Sequence, residues 1–199
     1  MAFALDKSVK RQVAQLIKED FEKRIERSFN NIKSAMITEL MNHPITKEIQ
    51  EGAGGSNSSG TLGGYGNLFT FIGFEAGTTP VDPIKQEFDK TVIQFRQLTD
   101  DGPVWNIYMP APEDIWEVTP MPWAEGRSWA KGIETGISGV GWYLYNQNKD
   151  YPQSRSGPAI QVKSKIASKV RFKNVKYISD ILSRYEKKFS QLDETTIST

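Results

Sequence analysis

His43 is the only histidine of the 199-residue chain, and cysteine is absent. Those two counts bound the chemistry. There can be no disulfide, no thiolate metal site and no cysteine nucleophile. A histidine-rich metal site is out of reach, and any histidine-dependent triad would have to use His43. His43 precedes Pro44 at what reads as a helix end, a setting for a structural histidine, and nothing near it resembles a nucleophile elbow. The glycine-rich stretch 52–66 invites a phosphate-loop reading. It fails because no Gly-Lys-Ser/Thr closes it and no strand clearly precedes it; Gly60 to Gly66 likewise does not match a dinucleotide fingerprint opening a helix. The carboxylate pairs Asp100-Asp101 and Glu113-Asp114 lie in apparent turns, where such side chains are commonly just solvated. The reading is therefore of a protein that is not an enzyme, with no catalytic residue, no cofactor and no metal.

Two stretches suit binding better. Arg155, Lys163, Lys165, Lys169, Arg171, Lys173 and Lys176 follow one another with no acidic residue before Asp180. Lys163 and Lys165 would share a strand face that could meet nucleic-acid phosphates or an acidic partner. A solvated strand face is the plainer alternative. The second stretch, 123–145, carries Trp123, Trp129, Trp142, Tyr143 and Tyr145, with Arg127 between two tryptophans. Aromatic residues and arginine are enriched in interface cores, and Arg127 could stack on a neighbouring ring. Ordinary core filling accounts for at least half of these rings.

The elements that must position these residues begin with a long helix over Lys7 to Asn42. Val13, Ile17, Phe21, Ile25, Phe29, Ile32, Met36 and Leu40 recur every three or four residues and make one apolar stripe. Pro44 pushes His43 out of helical geometry and stops the run. Unbroken, the helix is about 50 Å long against about 30 Å for a domain of this size, so part of it is expected to pack on something beyond its own core, such as a neighbouring subunit; a helix that kinks or ends early is the plainer alternative. Residues 45–51 allow at most two helical turns, and 52–66 reads as a flexible Gly/Ser-rich loop. Asn57-Ser58-Ser59 is formally a glycosylation sequon, set aside because Met1 to Leu5 is too short for a secretory signal. Leu68 to Phe74 predicts a strand. Ile84, Phe88, Val92, Phe95 and Leu98 predict a helix from Pro83 to about Gln97, with Asp82 as its cap. Val104–Met109 and Asp114–Thr119 predict a hairpin. Two prolines and Gly126 make 119–129 extended with a tight turn, and a short helix follows around 128–137. Strands are expected at 141–145 and 159–166. A helix from about Lys173 to Leu192 carries Val175, Ile178, Ile181, Leu182, Tyr185, Phe189 and Leu192 on one stripe, and 193–199 reads as a frayed tail. The order predicts a single α+β domain over 1–199, with an antiparallel sheet of about four to five strands.

Composition agrees with that class. Hydrophobic content of 38% and charge of 25% suit a globular chain, and no apolar run approaches the 18 or so residues of a membrane span. The absence of cysteine fits assembly in a cytosol. The net charge of +1 hides an asymmetry. Residues 1–50 carry nine basic and seven acidic side chains, 51–150 six and thirteen, and 151–199 ten and four. The segments are thus +2, −7 and +6, a distribution able to pair within the fold or between copies.

Three strings carry a resemblance. Gly63-Gly64-Tyr65-Gly66-Asn67-Leu68-Phe69-Thr70-Phe71-Ile72-Gly73-Phe74, Pro120-Met121-Pro122-Trp123-Ala124-Glu125-Gly126-Arg127-Ser128-Trp129, and Gly132-Ile133-Glu134 with Gly136-Ile137-Ser138-Gly139 resemble structural proteins of tailed bacteriophages. The likeness is strongest to neck and head–tail connector proteins of contractile-tailed phages. The order of elements is similar to the tail-completion fold of lambdoid phages. Those proteins usually place Thr-Gly-Asn-Leu after the first helix; here Gly66-Asn67-Leu68 match, with Tyr65 in the threonine position. The resemblance implies a non-enzymatic virion subunit, assembled in the host cytoplasm. Rings of six or twelve copies would join portal or adaptor to tail and pass DNA through their lumen. Leu68, Phe69, Phe71, Trp123, Arg127, Trp129, Trp142 and Tyr143 would then carry contacts to neighbours. A tail terminator or another minor virion protein is similar in the same features. From the residues alone, a nucleic-acid-binding accessory protein using 155–176 is the alternative.

Overall fold

The computed structural model describes residues 7–62, 66–99, 102–136 and 173–192, with the side chains of the first helix from Phe21 onward. Among them the architecture is α+β: a long N-terminal helix, two antiparallel strand pairs, short middle helices and a C-terminal helix.

Helix α1 (Lys7–Asn42) is continuous over 36 residues, about 54 Å. Ile25, Phe29, Met36 and Leu40 are buried, at intervals that keep one face inward. His43 adopts φ −62°, ψ 136°, the extended geometry a following proline enforces. Helix α2 (Pro44–Gln50) then starts with proline at its first turn, where a missing N–H costs nothing. Ile45 and Ile49, one turn apart, are buried.

The C-terminal helix α7 (Ile178–Ser190) lies antiparallel to α1. Phe29 meets Phe189 with ring centroids 5.3 Å apart, and one to three turns further along, Glu39 accepts a hydrogen bond from the Tyr185 hydroxyl at 2.9 Å. Ile178, Ile181, Leu182, Tyr185 and Phe189 are all buried, the stripe the sequence pattern predicts. Each large apolar side chain so buried contributes about 1.5–3 kcal/mol. The helix begins later than Lys173. Residues 173–177 run irregularly, held by Lys173 N–H to Thr61 O and Val175 N–H to Ile133 O, at 3.0 and 3.2 Å.

Three expected elements differ. Leu68 to Phe74 is not a strand: α3 (Leu68–Ile72) is a short helix. The Asn67 side chain accepts from Thr70 N–H at 2.9 Å to start it, and Gly73 at φ 89° ends it. A short, mostly buried apolar run suits either structure, and the caps decide. The helix expected from Pro83 to Gln97 splits into α4 (Asp82–Asp89) and β1 (Val92–Thr99). Val81 takes the N-cap position, and Asp82 sits inside the first turn. Lys33 of α1 donates to the carbonyls of Asp89 and Thr91 at 2.6 and 2.8 Å, closing α4 just before the β-branched Thr91, Val92 and Ile93. The third difference is the hairpin. β2 (Gly102–Tyr108) pairs with β1, Ile93 opposite Ile107 and Phe95 opposite Trp105, with a bulge between Phe95 and Gln97. Its expected partner, Asp114–Thr119, falls mostly in α5 (Pro112–Glu117). Pro112 opens that helix, and Asp114 accepts from Ala111 N–H at 2.7 Å, a start signal that outweighs the alternating pattern.

The second strand pair, β3 (Pro120–Met121) with β4 (Ala124–Ser128), turns through Pro122 and Trp123, and Gly126 at φ 69° lies within β4, where the pairing register shifts. Ser128 then caps α6 (Trp129–Thr135) by accepting from Lys131 N–H at 3.1 Å. Trp129 is buried edge-on against Phe74, centroids 5.5 Å apart. The strands expected at 141–145 and 159–166 lie outside the described residues.

Candidate functional site

Among the described residues no group of three or more His, Asp or Glu side chains could hold a metal ion, and no helix is long and apolar enough to cross a membrane. The residues with chemical potential hold backbone. His43 caps α2: its Nδ1 accepts from Ile45 N–H at 3.3 Å. Its ring stacks tilted on Tyr177, centroids 4.7 Å apart. Burial lowers the His43 pKa, the Arg184 guanidinium lowers it further, and Glu39 and Asp180 oppose them. Burial raises the Tyr177 phenol, partly offset by its hydrogen bond with Thr46. Tyr185 is pushed up to about 12 by burial first and by Glu39 second. Of the carboxylate pairs, Asp114 is spent on its helix start, Glu113 is exposed, and Asp100-Asp101 lies outside the described residues.

Sequence reasoning missed three polar anchors. Glu48 is fully buried, and its carboxylate accepts from Ser59 N–H at 2.8 Å and Leu68 N–H at 2.7 Å. The Asn67 amide nitrogen lies 3.1, 3.2 and 2.8 Å from the carbonyls of Gly52, Ala53 and Gly55. Glu134 of α6 accepts from Tyr177 N–H at 3.2 Å and Ser179 N–H at 2.9 Å, and so caps α7. Together these tie the glycine-rich stretch to α2 and α3, and α6 to α7. Asn67 was legible as a cap, standing before a buried run that ends in glycine. Glu48 and Glu134 carry no local signal, because their partners are remote in sequence.

The residues expected at an interface divide. Leu68, Phe69 and Trp129 lie in the protein's own core, no more than 2% exposed, and present no surface to a neighbour. Phe71 is half-buried; so is Trp123, whose indole donates to Ile72 O at 2.7 Å. Arg127 is exposed on β4. Trp142 and Tyr143 lie outside the described residues, as do Arg155, Lys163, Lys165, Lys169 and Arg171. Lys173 and Lys176, the described members of the basic run, are exposed.

The apolar surface left over lies elsewhere. A solvent-open groove of about 630 Å³ runs between the β1–β2 hairpin and α7. Ile93, Trp105 and Ile107 form one wall, Leu182 and Phe189 the other, and Glu186 is its one charged lining residue among the described residues. At the root of the hairpin the cross-strand pair Val92 and Tyr108 is 41% and 52% exposed. Neither edge of the hairpin pairs with another strand among the described residues. Such a surface suits contact with another polypeptide better than turnover of a small substrate. Compared with known proteins, the chain matches no family model, no curated protein and no solved structure.

Proposed function

We propose that this chain is a structural assembly subunit, and that its setting is the one its sequence resembles: the neck or head–tail connector of a tailed phage. The observation that carries the reading is the β1–β2 hairpin, whose edges pair with no other strand among the described residues, with the exposed pair Val92 and Tyr108 beside an apolar groove. A lone hairpin is marginal in water. Unpaired edges and contiguous apolar surface favour a polypeptide partner. In this reading a neighbouring copy covers the hairpin and groove by a heterologous contact, which closes into a ring when the rotation allows. The −7 segment 51–150 of one copy would face the +6 segment 151–199 of the next, fixing register. Portal or adaptor and tail proteins would bind the two ends of such a ring, with DNA in its lumen, and the subunit itself would do no chemistry. A tail terminator or another minor virion protein belongs to the same class.

The test is native mass by light scattering over a concentration series at two salt levels, with the variants Val92→Lys and Tyr108→Lys. Discrete oligomers lost in the variants support the reading; a strict monomer at every concentration, alone and with portal and tail proteins, sinks it. The exposed Lys173 and Lys176 keep a second reading in view, a nucleic-acid-binding accessory protein. Its signature is monomer affinity for DNA that falls steeply with salt and vanishes when the basic run 155–176 is neutralised.

A further inference from the structure

The elbow between α1 and α2 is built around an imidazole that must stay neutral. Nδ1 of His43 is an acceptor, filled by Ile45 N–H at 3.3 Å. A proton delivered to that nitrogen turns it into a donor facing a donor, so the capping bond must break. The ring is also wedged against Tyr177, which enters α7 and whose hydroxyl bonds Thr46 in the first turn of α2. Little nearby is free to welcome the new charge. From α1, Glu39 faces it, but binds Arg184 and the Tyr185 hydroxyl. From α7, Asp180 is paired with Arg184 at 3.2 Å, and Arg184 itself repels an imidazolium. From α2, the Glu48 carboxylate is committed to Ser59 and Leu68, and Lys47 adds only positive charge.

We propose that His43 is a proton-operated latch on the α1–α2 elbow: the neutral ring holds α2, and with it the glycine-rich loop, against the body, and proton uptake releases both. The coupling to the loop runs through Glu48. It sits one turn beyond Ile45 in α2 and holds loop residue Ser59 and the first N–H of α3. Asn67 at the head of α3 grips the same loop from the other side, at the carbonyls of Gly52, Ala53 and Gly55. Loss of the cap at Ile45 thus frees the element that anchors residues 52–62. Burial and Arg184 hold the ring's pKa below the usual value, which places the release on the acidic side of neutrality. The latch does not depend on what the protein assembles into.

The chain has one histidine, so the experiment is direct. The ring of His43 is titrated by NMR while hydrogen-exchange protection is followed at the amides of Ile45, Ser59 and Leu68, from about pH 7.5 to about pH 5. His43→Asn serves as control, since asparagine keeps a capping acceptor but does not titrate. In the wild type, protection at all three amides should fall from about pH 6.5 down to the ring's own midpoint and level off below it, by up to about tenfold for each unit by which folding lowers the pKa. In His43→Asn it should stay level. Wild-type protection that persists while the ring titrates overturns the proposal, as does an equal loss in the variant. Should the variant not fold, the wild type decides alone: protection lost between about pH 6.5 and the ring's midpoint supports the latch, and protection level across that interval overturns it.

Discussion

Single side chains in this protein act mainly on backbone. Asn67 has two tasks, starting α3 through its oxygen and holding three loop carbonyls through its nitrogen. Asn67→Ala removes both and leaves carbonyls without a donor, so it should cost more than a lost cap, at least about 2 kcal/mol by chemical denaturation. Asn67→Asp keeps the acceptor but sets a carboxylate oxygen against those three carbonyls in a buried site, and should cost at least as much as the alanine. His43 gives a pH dependence whose sign follows from its surroundings. Its folded pKa lies below the unfolded value of 6.5, so the unfolded chain takes up the proton first. Its stabilising contribution is complete above about pH 6.5 and is lost as the pH falls towards the folded pKa. Unfolding midpoints of the wild type should therefore drop between about pH 7 and pH 5 relative to His43→Asn. The position of His43 at a helix boundary was legible, because proline restricts the residue before it. The work of Glu48 was not. A buried glutamate whose partners lie 11 and 20 residues on looks, in the sequence, like any solvated helix glutamate.

At the level of elements, long stripes were readable and short runs were not. The stripe of α1 and the cluster from Ile178 to Phe189 fix their helices because many positions agree on one period. Five residues, Leu68 to Ile72, cannot show a period, and there the flanking Asn67 and Gly73 rule. Gly73→Ala tests that account. At φ 89° a Cβ is strained, and it would meet Trp123 Cδ1 at 3.4 Å. The expected loss is about 1–2 kcal/mol, with the Trp123 indole bond to Ile72 O weakened. Fluorescence should report both. The helix expected from Pro83 onward failed for a different reason. The spacing of Ile84, Phe88, Val92 and Phe95 continues by chance across Lys90, while Lys33, about fifty residues earlier in the chain, ends α4 at Asp89. Truncating α7, by contrast, should act as its stripe predicts: Ile181→Ala opens a cavity in a fully buried site and should cost about 2–5 kcal/mol in the same denaturation assay.

For the molecule as a whole, the groove and the hairpin set the prediction that matters for function. Val92 and Tyr108 are exposed, so lysine at either site should leave stability within about 0.5 kcal/mol while it removes assembly in light scattering. A variant that unfolds would instead make the hairpin part of the core. None of the described residues expected at an interface lines that surface: Leu68, Phe69 and Trp129 fill the core, and the hairpin pairs strands that the sequence pattern did not. The clasp between α1 and α7 has a consequence of another kind. Phe29 meets Phe189 and Glu39 meets Tyr185, so α1 leaves the ribosome well before the helix that covers it. At about 5–20 residues per second, the part of its apolar face that α7 covers waits roughly seven to thirty seconds of translation. Until α7 emerges the α1 stripe lacks that cover, and the nascent chain is a natural client for chaperones that shield helical apolar faces.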